Sequence, residues 1–306
     1  MFNKKVWTLV SIIFMIITVN TVISTKVNDQ PTIKYKNVPS EIPFSMDSMF
    51  LQLMYSYTAY CIPEQIVNWT CPYCIYNSSV TPLLVTQLID NDSTNTFGFI
   101  GITTDKKSIV ISFRGTEMES LDNWITNLNF PKSEPYPGFP GALVHSGFNR
   151  AYRNVRNIVH SGLNFTLGVC PTCEKLIITG HSLGGALAIM AATDIYESQL
   201  TTLPLEMYTF GSPRVGDVAF AEYFESTVIT NYWRIVYDHD LVPHLPPMQL
   251  NFYHLPTEVW FNNASDPSQH IVCNPTGEDP SCSDSLKVAL NVFEHLAYFG
   301  ISKDLC

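Results

Sequence analysis

The sequence predicts one α/β domain with a mainly parallel central sheet and helices on both faces. Short apolar runs rich in β-branched residues alternate with stretches of helical periodicity, the pattern expected when helical crossovers join parallel strands. At the clearest junction, Lys175-Leu-Ile-Ile-Thr-Gly180 leads through His181-Ser182-Leu183-Gly184-Gly185 into Ala186-Leu-Ala-Ile-Met-Ala-Ala192. Strand, sharp turn and helix meet at one serine. Of 306 residues, 46% are apolar and 14% charged, a composition that fits a sizeable core and excludes a disordered chain.

In chain order, Lys4 and Lys5 precede an uncharged apolar run from Val6 to about Val19, then small and polar residues through Thr25. This is the layout of a secretory signal over residues 1–24, with Val22 and Ser24 as the cleavage pair. The run is shorter than the roughly 20 residues of a bilayer span, so no permanent anchor is expected. Residues 25–306 form the single domain, starting with a loose polar stretch to about residue 40. From Phe44 to Cys61, Met46, Met49, Phe50, Leu53, Met54 and Tyr57 recur at helical spacing, which predicts a helix covering one sheet face. Asn68 to Pro82 reads as a surface loop. Thr96–Thr103 and Ser108–Phe113 read as a hairpin turned by Asp105-Lys106-Lys107, and His145 to Phe165 as a helix. After the serine turn, strands are expected at Leu205–Phe210 and Tyr232–Tyr237, with a helix around Val218–Ser226.

Charge and cysteines narrow the function classes. The balance of 17 basic and 27 acidic residues, net −10, argues against nucleic acid and against electrostatic docking on anionic membranes. Eight cysteines, an even set in an exported chain, read as disulfides. Cys71/Cys74 and Cys170/Cys173 lie much further apart than the roughly 15–20 residues between paired motifs of a zinc site. No metal or cofactor is called for. Asn-x-Ser/Thr sequons at Asn68, Asn77, Asn91, Asn164 and Asn263 are candidate glycosylation sites.

The Gly-x-Ser-x-Gly turn carries the chemistry. Its serine needs a strained backbone, and Gly180 and Gly184 leave room where strand and helix approach. Ser182 is thereby raised as a nucleophile, and the Leu183 N–H at the helix start faces a developing oxyanion. An alkyl hydroxyl needs a base, and the base an orienting acid. Asp238 and Asp240, just past the strand ending at Tyr237, both qualify as the acid. Downstream histidines are His244, His254, His270 and His295. His244 is close in sequence to Asp240, His254 reads as a strand-edge residue, and His270 as a surface residue. His295 lies in a short amphipathic segment. Gly115-Thr116, after the Ser108 strand, offers a second oxyanion donor or a plain turn. From Glu117 to Leu128, Leu121, Trp124 and Ile125 make an amphipathic helix, read as a lid or as an ordinary surface helix.

Taken together, Phe113-Arg-Gly-Thr116, Asn123-Trp-Ile-Thr-Asn-Leu-Asn-Phe130, His145-Ser-Gly-Phe148, Thr179-Gly-His-Ser-Leu-Gly-Gly-Ala-Leu187, Phe210-Gly-Ser-Pro-Arg-Val-Gly216, Asp240-Leu-Val-Pro-His-Leu-Pro-Pro247 and His295 resemble the class 3 lipases, secreted fungal triacylglycerol lipases of the α/β-hydrolase fold. The resemblance covers residue 45 to the end. It implies Ser182 as nucleophile, Asp240 as acid, His295 as base, Thr116 and Leu183 as the oxyanion hole, and a short helical lid. It also implies disulfides Cys61–Cys306, Cys71–Cys74 and Cys273–Cys282, leaving Cys170–Cys173 as a fourth pair. The expected protein is a secreted monomeric serine ester hydrolase acting on glycerolipid at an interface. A phospholipase, a feruloyl-type esterase or a catalytically silent lipid-binding glycoprotein are the alternatives.

Overall fold

A computed structural model describes residues 43–116, 130–228, 231–263, 266, 268–286 and 291–306. The expected signal sequence and the expected lid, with Leu121, Trp124 and Ile125, lie outside the described residues.

The core is an eight-stranded sheet whose spatial order follows the chain: β1 Leu83–Asn91, β2 Thr96–Thr103, β3 Ser108–Phe113, β4 Lys175–His181, β5 Leu205–Phe210, β6 Asn231–Tyr237, β7 Glu258–Phe261 and β8 Ile271–Val272. β1–β2, β2–β3 and β7–β8 pair antiparallel, while the pairings from β3 through β7 are parallel. Every residue of β2, β3 and β6 is buried, as expected of strands covered on both faces.

One face is covered by α1, Met46–Thr58, started by Ser45, whose hydroxyl accepts the Ser48 N–H. Met49, Leu53, Met54 and Tyr57 pack with Val110, Ile177, Tyr208 and Ile235. Polar bonds fix the register: Gln52 donates to Glu206 and accepts the Tyr208 N–H, and the hydroxyls of Ser56 and Thr179 lie 2.8 Å apart. The other face carries α2, Ser146–Val169, and α3, Leu183–Glu197. Phe148, Tyr152, Val155, Val159 and Leu163 of α2 meet Leu187, Met190 and Ile195 of α3 over Ile109, Ile111 and Ile178. α4, Val218–Tyr223, follows β5, and α5, Val292–Leu296, lies near the C-terminus.

Four disulfides are present: Cys61–Cys306, Cys71–Cys74, Cys170–Cys173 and Cys273–Cys282. The first closes 245 residues, which stabilises by about 5 kcal/mol in the chain-entropy model. It ties the end of the chain beside the start of the domain.

The structure adds elements that the sequence pattern did not expose. β1, β7 and β8 were not anticipated. His254, read as a strand-edge residue, lies in coil ahead of β7, buried, with Nε2 2.6 Å from the Pro243 carbonyl. His270, read as a surface residue, packs its ring against Phe44 and Phe261.

Candidate active site

Ser182 sits between β4 and α3 with φ 60° and ψ −132°, a backbone conformation that costs energy for a residue with a Cβ. Close packing holds it there. A Cβ on Gly180 would stand 2.2 Å from the Gly184 carbonyl oxygen, and one on Gly184 would stand 2.2 Å from that of Phe113. Ser182 is the N-cap of α3, yet its side chain makes no capping bond. The hydroxyl is left for other chemistry. Its own N–H donates to Phe210, and its carbonyl accepts from Gly185.

Asp240, one of the two expected acids, lies on the loop after β6. Asp240 is fully buried and accepts the Val242 N–H at 2.9 Å. His295 of α5, also fully buried, places Nδ1 2.9 Å from Asp240 Oδ2 and 3.1 Å from Oδ1. The carboxylate accepts only, so Nδ1 carries the hydrogen and Nε2 of the neutral ring keeps its lone pair. Tyr298 completes the set, its hydroxyl donating to Asp240 Oδ2 at 2.6 Å. Burial and Asp240 push that phenol well above its usual range. Asp238 is turned away, with φ 44° and its carboxylate on His239. Gly211 leaves room for Asp240 and His295 to meet: with φ +57°, it lies so close that a Cβ would stand 2.8 Å from Asp240 Oδ2 and from His295 Nδ1.

β3 delivers Gly115-Thr116 to the same place. A Cβ on Gly115 would lie 2.8 Å from the Cβ of Ser182. Leu183 is the first residue of α3, so its N–H is among those that helix geometry leaves without an intrahelical acceptor. Among the described residues, Ser182 Oγ, His295 Nε2 and Thr116 Oγ1 are buried and have no hydrogen-bond partner. Such orphaned groups are costly in a stable interior. Three such groups at or beside the strained serine mark a place built to receive a polar reactant.

Two other features do not compete with this site. Glu258, Cys273 and Cys282 cluster closely enough to hold a metal, but both sulfurs belong to one disulfide. A cavity of about 360 Å³ lined by Ile195, Tyr196, Leu205, Glu225 and Asn231 opens at the amino ends of β5 and β6, opposite the serine turn. Tyr298 and Gly211 are the site residues that sequence reasoning missed. Tyr298 is a single tyrosine in an aromatic-rich tail, and Gly211 belongs to Phe210-Gly-Ser-Pro-Arg-Val-Gly216, a segment noted only as part of the family resemblance.

Comparison with known proteins gives a family. Residues 110–250 match the model of the class 3 lipases. A Rhizomucor miehei lipase is 37% identical over 254 residues, 82% of this chain and 67% of that protein. A secreted mono- and diacylglycerol lipase of Fusarium solani is 31% identical over 66% of this chain and 59% of its own length. The chain therefore spans about two thirds or less of the length of these curated relatives. A solved triacylglycerol lipase, described as having a serine-protease triad as its catalytic centre, superposes with a TM-score of 0.76 at 34% identity, covering 85% of this chain and 96% of that one.

Proposed function

The chain belongs to the class 3 lipase family, a serine ester hydrolase by that membership, and on this premise we propose that it hydrolyses triacylglycerol at a lipid–water interface. Ser182 is the nucleophile, His295 the base and Asp240 the orienting acid in this reading. The observation that carries it is the set of orphaned atoms, Ser182 Oγ, His295 Nε2 and Thr116 Oγ1, around a buried Asp240–His295 pair.

In the reaction, His295 Nε2 takes the Ser182 proton as Oγ bonds to the ester carbonyl carbon. The negative charge moves to the carbonyl oxygen, where the Leu183 N–H and the Thr116 N–H and hydroxyl stabilise it. Collapse breaks the bond to the alcohol oxygen, which receives the proton from His295. Water then attacks the acyl-enzyme, giving its proton to His295 and later to Ser182, and the fatty acid leaves. Asp240 stays ionised and holds the imidazole tautomer throughout.

A secreted location is supported by four disulfides. No described helix is long and apolar enough to cross a membrane. Asn68, Asn77 and Asn164 are exposed, as glycan acceptors must be, and Asn91 and Asn263 are half-buried. The segment from Glu117 to Leu128 is the proposed lid.

Hydrolysis of triacylglycerol, phospholipid and feruloyl-ester substrates by the purified protein, with Ser182→Ala as control, tests the substrate class. The expected result is fastest turnover of emulsified triacylglycerol, lost in the variant. A preference for phospholipid or feruloyl ester would replace the substrate. A folded chain inert on all three would leave a lipid-binding glycoprotein.

A further inference from the structure

Resting on the assignment of Ser182, Asp240 and His295 above, we propose that Tyr60 and His181 form a positioning relay that ties the base to the oxyanion loop and keeps the second histidine of the site uncharged.

Proton positions along the relay follow from its partners. His181, fully buried, has Nε2 2.8 Å from the backbone carbonyl oxygen of His295. A carbonyl only accepts, so Nε2 carries the hydrogen. Nδ1 of the neutral ring then has only a lone pair, and the Tyr60 hydroxyl, 2.8 Å away, must donate to it. The Tyr60 oxygen in turn packs on Gly115, where a Cβ would stand 2.3 Å from it. The bonds run in one direction, from Tyr60 O–H to His181 and from His181 N–H to His295, with Gly115 packed on the Tyr60 oxygen at the start. The residue before Thr116, the residue before Ser182 and the base itself are thus joined in one chain.

His181 also lies flat against His295, with ring centroids 4.5 Å apart and planes 29° from parallel. When His295 takes the serine proton it becomes a cation stacked on His181. A second charge there would oppose that step and weaken His295 as a base. The surroundings of His181 keep it neutral. Tyr57 and Tyr298 meet its ring edge-on at 5.3 and 5.7 Å. Lys303, whose ammonium lies 4.8 Å from the Tyr60 ring centroid, adds positive potential. The carboxylate of this cluster, Asp240, is engaged by His295 and Tyr298. Burial, then His295 and Lys303, holds the His181 imidazole well below its usual range. Protonating Nδ1 would also forfeit the bond from the Tyr60 hydroxyl, which would have to turn its hydrogen off the ring in order to accept instead.

Nitrogen-15 NMR of the intact protein reads the relay without reference to activity. The expected spectrum shows His181 with an unprotonated Nδ1 and a protonated Nε2, with no titration between about pH 5 and 8. Titration in that window, or a proton on Nδ1, would overturn the proposal. The kinetic test is Tyr60→Phe, which frees Nδ1 to take a proton. The acid limb of kcat/KM should steepen from one proton to two, and kcat should fall more than KM rises because the Gly115-Thr116 turn loses the hydroxyl packed on it. Adding His181→Gln, which keeps an N–H for the His295 carbonyl, should return the limb to one proton. A folded Tyr60→Phe enzyme with an unchanged one-proton limb would contradict the relay. If that variant does not fold, the wild-type spectrum decides. The stated tautomer in a protein without esterase activity would contradict the catalytic assignment and leave the hydrogen-bond chain standing.

Discussion

Asp240 is held by three donors, one from its own loop and two from the C-terminal segment: the Val242 N–H, His295 Nδ1–H and the Tyr298 hydroxyl. Tyr298→Phe removes one bond to a charged acceptor while keeping the ring that packs against Phe210 and Tyr237. Such bonds contribute roughly 1.5–3 kcal/mol, so kcat/KM should fall about ten- to a hundredfold. An unchanged kcat/KM in a folded variant would show that the bond does not serve the acid. Ser182 was legible because its neighbours in sequence are also its neighbours in space. Asp240 was not separable from Asp238 by side-chain chemistry. The backbone separates them, since φ 44° at Asp238 turns that carboxylate toward His239. His295 presented the same difficulty among four downstream histidines, and its partner lies 55 positions away.

The loop that carries Asp240 is braced by a buried ionic network that no local pattern announces. Arg214, on the segment after β5, accepts nothing and donates widely: both arms reach Glu278 at 2.8 Å, one also reaches Asp284, and another holds the Pro246 carbonyl. Its backbone N–H donates to the Leu245 carbonyl, and His254 Nε2 donates to that of Pro243. Three carbonyls of the loop carrying Asp240 are thereby fixed. Arg214→Met leaves Glu278 buried without its cation and should lower unfolding free energy by about 3–5 kcal/mol in denaturant titration. Arg214→Lys should recover only part, because one ammonium cannot replace a planar fork. Equal stability of wild type and Arg214→Met would refute the bracing role. The helices were legible because packing on the sheet imposes a continuous apolar stripe, as in α2. β7 was hidden because Glu258 reads as solvent-facing, whereas it is 3% exposed and paired with Arg234 on the adjacent strand at 2.7 Å.

Over the whole molecule, buried titratable groups give stability a maximum in pH. Burial pushes His244 down to about 4 and holds His181 and His254 well below their usual range. The unfolded chain binds protons at these sites below about pH 6.5 that the fold refuses, so their contribution is lost as pH falls. Asp284 acts oppositely. Burial and the neighbouring Glu278 raise its carboxyl to about 8, so the fold keeps a proton that the unfolded chain has released, and its contribution declines as pH rises toward 8. Thermal denaturation should therefore show greatest stability near about pH 6 to 7, and Asp284→Asn should flatten the alkaline side. A stability curve that rises steadily through pH 8 in the wild type would contradict this. The overall fold class was legible because alternation of strands and helices is a property of the whole chain, while the ionic network depends on contacts between distant segments. The activated serine remains the central claim, and fluorophosphonate labelling tests it most directly. Wild type should be labelled at Ser182, with labelling abolished in Ser182→Ala and strongly reduced in His295→Ala. A folded wild type that resists the probe, even in detergent, would contradict the assignment of Ser182 as nucleophile.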